Sequence, residues 1–270
     1  MALPPPSPTT TALVTGASSG IGVELARQLA GRGHGVTLVA RREAKLSALA
    51  AELGQAHGVR AEVVALDLTD APARAGLPGT LAERGLTVDV LVNNAGFSTT
   101  GPVYRSDRAR EITMIRTDVE AVADLCSLFL PGMVERGRGA VLNVASTAAF
   151  QPLPGQAGYG AGKAFVLSYS RSVRAELRGT GVTLTVLCPG PVKTEFAQSA
   201  GFTPEEAEGS LPKFMWVPAA EVARVALVGM EQGKGVVIPG FANRVGAQVG
   251  RNAPQQALAT FLARQHPALK

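Results

Sequence analysis

The sequence predicts an α/β fold, a doubly wound parallel sheet of about seven strands with helices on both faces. Three observations predict it. Short runs rich in Val and Leu recur along the chain, with helical stretches between them. The runs show little apolar–polar alternation, as expected of parallel strands buried on both faces. The residues able to do chemistry fall almost all just after the runs, at the strand ends where an open α/β sheet receives its ligand.

Residues 1–10 are proline-rich and predict a disordered lead-in. They lack the basic and apolar regions of a signal peptide. The first strand, Leu13–Thr15, runs into Gly16-Ala-Ser-Ser-Gly20-Ile-Gly22 and then an amphipathic helix from Val23 to Ala30. Glycines at a strand–helix junction allow a tight turn and close approach of a pyrophosphate to the backbone. The helix start then offers unpaired N–H groups and positive dipole. The candidates here are Gly16, Ser18, Ser19, Gly20, Ile21 and Gly22. A glycine-rich turn alone is a weak signal; a strand before it and a helix after it supply the context. The second strand, Val36–Ala40, ends in Arg41-Arg42. The third, Glu62–Leu66, is followed by Asp67 and Leu68, and the fourth, Val88–Val92, by Asn93-Asn94-Ala95-Gly96. Asp67-Leu-Thr-Asp70 also suits the cap of a following helix. The fifth strand, Gly139–Val144, leads to Ser146, the sixth, Thr183–Leu187, to Pro189-Gly190, and the seventh is Val236–Ile238.

Tyr159 and Lys163 stand four residues apart, thirteen residues after Ser146. Four residues make about one helical turn, so phenol and ammonium project from one face. A free phenol titrates near pH 10. A fixed positive charge beside it favours the phenolate and moves it toward working pH. With the Ser146 hydroxyl at a strand end, the three groups can hold one carbonyl oxygen and pass it a proton. Tyr-x-x-x-Lys also arises by chance, and its weight here comes from its company.

Thr15-Gly-Ala-Ser-Ser-Gly-Ile-Gly22, Asn93-Asn-Ala-Gly96, Ser146, Tyr159-x-x-x-Lys163 and Pro189-Gly190 stand in the order found in the short-chain dehydrogenase/reductase family, and over residues 11–240 the chain resembles an NADP(H)-preferring, carbonyl reductase-like member. The resemblance implies a Rossmann-type domain holding both cofactor and catalytic groups. It implies that Asp67 contacts the adenine ring, that Asn94, Ala95 and Gly96 pack along the adenosine, and that Lys163 holds the nicotinamide ribose. It places Pro189, Gly190, Val192 and Thr194 beside the nicotinamide, with Lys193 an added charge there. Cofactor choice is a question of local charge. An acid at the end of the second strand would repel a 2′-phosphate; here Ala40 is followed by Arg41, which can bind one through several N–H donors. NADP(H) is therefore expected, with Arg41 as main contact and Ser18, Arg42 and Lys45 as secondary ones. Arg42 and Lys45 equally suit a solvated helix start. One position departs from the family: Asp118 stands where an asparagine commonly links to the active-site lysine through a water. An ionised Asp118 would favour the ammonium of Lys163 and oppose the phenolate of Tyr159, which predicts a shifted pH optimum.

The expected activity is reduction of a ketone or aldehyde to an alcohol, or the reverse. Residues 195–217 carry Phe196, Phe202, Leu211, Phe214, Met215 and Trp216. They predict a lid over an apolar small-molecule substrate, or a loop packed on the core. Residues 241–270 form an extension in which Gln255–Gln265 suits a short amphipathic helix with Leu258, Phe261 and Leu262 on one face. Other classes fit less well. The net charge of +5 is spread along the chain without a basic stripe interleaved with aromatics, which argues against nucleic acid. No run is long enough to span a membrane, and a cytoplasmic location is the default. The three histidines lack metal-ligand spacing, so no catalytic metal is expected. Cys126 and Cys188 read as small buried hydrophobes rather than a disulfide or a nucleophile. A homodimer or homotetramer through residues 118–130 and 159–177 follows from the resemblance. The alternatives that stay open are a catalytically silent NADP(H)-binding regulator and an epimerase or dehydratase on the same fold.

Overall fold

The computed structural model describes residues 3–196, 201, 212–265 and 267–269. Seven parallel strands form one sheet in the order β3-β2-β1-β4-β5-β6-β7. They are β1 (Thr10–Thr15), β2 (Gly35–Ala40), β3 (Ala61–Ala65), β4 (Thr87–Asn93), β5 (Gly139–Val144), β6 (Val182–Leu187) and β7 (Val236–Val237). Each predicted strand is present; β5 matches its predicted span and no end of the others moves by more than three residues. The order reverses between β1 and β4, and that reversal opens the crevice in which such sheets bind ligands.

Successive residues of one strand serve opposite layers. Ala12, Val14, Val90, Val92, Ala140 and Leu142 share a core with α1 (Gly20–Ala30), α2 (Glu43–His57) and α8 (Ala219–Glu231). The intervening Leu13, Leu91 and Val141 face α4 (Leu77–Glu83), α6 (Ala121–Glu135) and α7 (Ala157–Glu176). This double burial is why the central strands lack alternation: β1, β2, β4, β5 and β6 are buried over most of their length, largely with apolar side chains. Each fully buried leucine contributes about 2 kcal/mol. The remaining helices are α3 (Ala71–Ala75), α5 (Arg108–Ile115), α9 (Phe241–Asn252) and the final helix Gln255–Gln265, whose span matches the expectation.

Two places differ from the sequence reading. β1 starts at Thr10, inside the expected lead-in, and the residues before it are held: Pro4 is buried and Leu3 packs on the α1 core. Leu3 offers apolar surface to that core, so the proline content does not set the segment's fate. Between α5 and α6, Arg116–Glu120 widens into a π turn that carries the buried Asp118. Such insertions cluster at functional sites. Of the expected lid, Phe202 and Leu211 lie outside the described residues. Phe196, Phe214, Met215 and Trp216 lie within them, with Lys213–Met215 a short 3₁₀ turn.

Candidate active site

Crowding dictates the glycines of the first turn. Gly16 has φ +67°, and a Cβ there would lie 2.8 Å from the Ala95 Cα; a Cβ on Gly22 would lie 2.4 Å from the Gly16 carbonyl oxygen. Asn94 braces this turn from β4. Its Nδ2 donates to the Thr15 carbonyl at 2.9 Å, and the Asn94 and Ala95 N–H groups donate to Thr15 Oγ1 at 3.0 and 3.1 Å. Ser19 caps α1 by position, with no side-chain hydrogen bond, and the first turn holds no acid. The positive helix end therefore faces the crevice with no acid in its own first turn, where it favours an anion. Across the crevice Thr194 packs against Gly20. A cavity of about 290 Å³ lies between them, lined on one side by Ser18, Ser19, Gly20 and the paired Glu24 and Arg27 and on the other by Lys193, Thr194 and Glu195, among others. A cradle that only glycine permits, an open helix end and a basic flank fit a dinucleotide.

The basic flank gathers three of the four predicted groups. Arg42 donates through Nε and Nη2 to Ser18 Oγ at 3.1 and 2.9 Å. Its Nη1 and Lys45 Nζ donate to the two carboxylate oxygens of Glu195, at 2.7 and 2.8 Å. The two cations hold the Glu195 carboxyl down at about 2. Arg41 points elsewhere: it is exposed and reaches Asp67 only at 4.0 Å. Asp67 accepts from the Thr69 N–H and hydroxyl at 2.9 and 2.8 Å. Partial burial resists ionisation of Asp67, yet the Thr69 bonds and Arg41 hold its carboxyl below the usual range. The helix cap is Asp70, which accepts from Ala73 N–H at 3.0 Å. Leu68 is buried, and its carbonyl accepts from Arg74.

The triplet meets beyond the end of β5. Ser146 opens the turn Thr147–Phe150, its Oγ accepting from Ala148 N–H at 3.1 Å. Lys163 is buried on α7, donates to the Val144 carbonyl at 3.2 Å and pairs with Asp118 Oδ2 at 3.0 Å. Its Nζ stands 5.5 Å from the centre of the Tyr159 ring. Asp118 Oδ1 accepts from Phe97 N–H at 3.0 Å. Both carboxylate oxygens thus face donors, so an asparagine would have to turn one NH₂ toward a donor. The contact with Lys163 is a direct ion pair. Gly96 makes room for it, since a Cβ there would lie 2.9 Å from Asp118 Oδ2.

Desolvation decides the net direction for the phenol, although Lys163 pulls it down as expected. Burial raises the Tyr159 pKa above its ordinary value; Lys163 and Ser146 pull it down without prevailing, and Asp118 adds to the rise. Burial alone would lower Lys163, but Asp118 and Tyr159 hold it above its ordinary value. Burial raises Asp118 against the pull of Lys163. The thiols of Cys126 and Cys188 are buried and pushed up to about 11 and about 12, as suits small hydrophobes.

The turn after β6 ties to the turn that follows the serine, for the Pro189 carbonyl accepts from Thr147 N–H at 2.9 Å. Val192 packs against the α1 core, and Phe196 sets its ring 5.5 Å from that of Tyr159. Two residues here escaped the sequence reading. Asn243 is buried on α9 and donates through Nδ2 to the Met215 and Pro239 carbonyls at 2.9 and 3.1 Å. It fills the space beside Gly190, where a Cβ would lie 2.3 Å from its Oδ1. Glu195, read only as the start of a lid, closes the basic flank. No motif marks either residue.

Among the described residues no cluster could hold a metal ion, and no helix is long and apolar enough to cross a membrane. Comparison with known proteins gives a consistent picture. The short chain dehydrogenase profile matches residues 10–204. Sulfoacetaldehyde reductase 2 of Chromohalobacter salexigens is 40% identical over 186 residues, 68% of this chain and 73% of that protein. The NADP-dependent 3-hydroxy acid dehydrogenase of Salmonella typhi is 38% identical over 187 residues, 68% and 74% of the two chains. Among solved structures, a short-chain dehydrogenase from Sphingobium yanoikuyae in complex with NADPH superposes with a TM-score of 0.79 at 34% identity, covering 93% of this chain and 95% of that one.

Proposed function

Because the chain belongs to the short-chain dehydrogenase family, we propose that it is an NADPH-dependent reductase of an apolar ketone or aldehyde, reversible, with Tyr159 as general acid. At the coarser level it is an oxidoreductase acting on hydroxyl or carbonyl groups with a nicotinamide cofactor. The observation that carries the finer reading is the meeting of Tyr159, Ser146 and the buried, paired Lys163 at the end of β5.

When bound, the cofactor supplies or accepts the hydride. Gly16, Ser19, Gly20, Ile21 and Gly22 would hold its pyrophosphate, and Ser18, Arg42 and Lys45, flanked by Arg41, would take the 2′-phosphate. Asp67 and Leu68 would serve the adenine and Asn94, Ala95 and Gly96 the adenosine. Pro189, Gly190, Val192 and Thr194 would serve the nicotinamide. Tyr159 donates its proton to the carbonyl oxygen as negative charge develops there, and Ser146 steadies that oxygen by a hydrogen bond. A raised phenol pKa suits this direction, since it keeps the proton on Tyr159 until the oxygen needs it. Lys163 keeps its charge through Asp118 and stabilises the phenolate left behind. Phe196, set against Tyr159, supports an apolar carbonyl substrate. We place the protein in the cytosol as a homodimer or homotetramer joined through α6 and α7, where Phe165 is partly exposed and stacks on Tyr169 at 5.5 Å.

The test is loss of NADPH absorbance against apolar ketones and aldehydes, with Tyr159→Phe run alongside. Two relatives are named for sulfoacetaldehyde and 3-hydroxy acids, so the panel includes small anionic carbonyls. Turnover that collapses in Tyr159→Phe supports the reductase, and preference for the anionic compounds overturns the apolar substrate. NADPH binding with no net consumption across the panel points instead to an epimerase, a dehydratase or a silent regulator.

A further inference from the structure

The basic flank is not open. The groups best placed to hold a 2′-phosphate already hold a carboxylate, and it comes from the far side of the crevice. Glu195 lies 153 residues from Arg42 and 150 from Lys45, yet one carboxylate oxygen meets each cation, at 2.7 and 2.8 Å. Arg42 is fixed at the same time by Ser18. A carboxylate bridging a guanidinium and an ammonium is the protein's own version of the contact a phosphate makes there. Both cannot use the same N–H groups.

We propose that Glu195 is a specificity-determining residue for the cofactor: its carboxylate competes with the 2′-phosphate for Arg42 and Lys45, and so limits the preference for NADPH over NADH. The inference rests on the reading of Ser18, Arg42 and Lys45 as the phosphate site. A cofactor with a free 2′-hydroxyl leaves the Glu195 bridge in place. One with a 2′-phosphate must displace it, at the cost of two charge-assisted hydrogen bonds. The competition is affordable because both bonds are near the surface; Glu195 is 49% exposed, and exposed pairs are individually weak. Position gives the exchange a second consequence. Glu195 stands between Thr194, which packs on Gly20, and Phe196, which packs on Tyr159. Releasing the carboxylate removes the tie that fixes this stretch to the adenosine side.

Equilibrium binding of two fragments tests the competition without turnover. 2′,5′-ADP carries the 2′-phosphate and 5′-AMP lacks it. Glu195→Gln is expected to tighten 2′,5′-ADP by about three- to tenfold, the worth of two exposed pairs, and to leave 5′-AMP unchanged. The salt dependence gives a second readout. In the wild type, salt weakens the internal bridge as well as the phosphate contact, so the Kd of 2′,5′-ADP rises less steeply with ionic strength than in Glu195→Gln. Arg42→Ala separates the two ideas. If wild type prefers 2′,5′-ADP and loses the preference in Arg42→Ala, the phosphate site stands. Unchanged or weaker 2′,5′-ADP binding in Glu195→Gln then overturns the role of Glu195 alone. If wild type binds both fragments alike and Arg42→Ala changes neither, the phosphate site fails and the proposal fails with it. Equal tightening of both fragments also overturns it, since a general gain in charge would not depend on the 2′-phosphate.

Discussion

Two of the ion-pair clusters among the described residues lie at the candidate site, with similar distances and opposite character. At the end of β5, Lys163 and Asp118 meet at 3.0 Å with both side chains almost fully buried. At the end of β2, Arg42 and Lys45 meet Glu195 at 2.7 and 2.8 Å with all three about half exposed. Distance alone would rank them together. Burial separates them. In the first, removing water makes each charge dependent on its partner, so the cluster sets protonation states and resists exchange. In the second, water competes with every contact, so the cluster is replaceable by an incoming anion and sensitive to salt. The two suit their places: proton transfer needs a fixed field, and cofactor binding needs a site that can be vacated and refilled.

Three substitutions bear on this contrast. The largest expected effect is at the fixed end. Tyr159→Phe keeps the ring against Phe196 and removes only the hydroxyl, so kcat is expected to fall by about a hundredfold to ten-thousandfold while NADPH binding is retained. Steady-state kinetics beside a direct binding titration check this; loss of both would mean that the ring serves structure more than proton transfer. At the exchangeable end, Arg42→Ala removes a charged donor and is expected to weaken NADPH by roughly ten- to a hundredfold with little change for NADH. A fluorescence titration with each cofactor measures it, and equal losses would deny Arg42 any role at the 2′ position.

Asp118→Asn probes the buried cluster through pH. The Asp118 charge raises the Tyr159 pKa, so removing it lowers that pKa as long as Lys163 stays protonated. Alcohol oxidation needs the phenolate, and its acid limb is expected to move to lower pH. Carbonyl reduction needs the phenol, and its alkaline limb is expected to move the same way. The pH dependence of kcat/KM in both directions reads the shift. Superimposable profiles would show that Asp118 acts only as a brace for Phe97 and Lys163.

What the sequence disclosed, and what it hid, follows the same division between local and distant causes. Central strands buried on both faces leave largely apolar runs, and the half-buried edge strands β3 and β7 carry short Val-rich ones, so all seven were legible. The glycines between β1 and α1 were legible because crowding by Gly16 and Asn94 admits no side chain. Tyr159 and Lys163 share a helix face by spacing alone. The direction of the Tyr159 shift was not legible, because it depends on how the fold desolvates a half-buried phenol, and that outweighs the neighbouring ammonium. Neither was the bridge from Glu195 to Arg42 and Lys45, since contacts spanning 150 residues or more leave no local pattern. Asn243 was hidden for the same reason: its partners Met215 and Gly190 lie in other segments. Residue order did not reveal that Arg42, rather than Arg41, turns toward Ser18.

That last difference supplies the smallest and sharpest test. Arg41 is 69% exposed and, among the described residues, its one ion pair is with Asp67 at 4.0 Å, too long to pre-position the guanidinium. Arg42 is held by Ser18 before any phosphate arrives. Pre-positioning lowers the conformational entropy lost on binding. Arg41→Ala is therefore expected to weaken NADPH by only about two- to fivefold, the worth of a screened surface contact, and less than Arg42→Ala. Matched titrations of the two variants decide the order. A larger loss in Arg41→Ala would mean that Arg41 folds over the phosphate once it is bound, and that Ser18 holds Arg42 for Glu195 rather than for the cofactor.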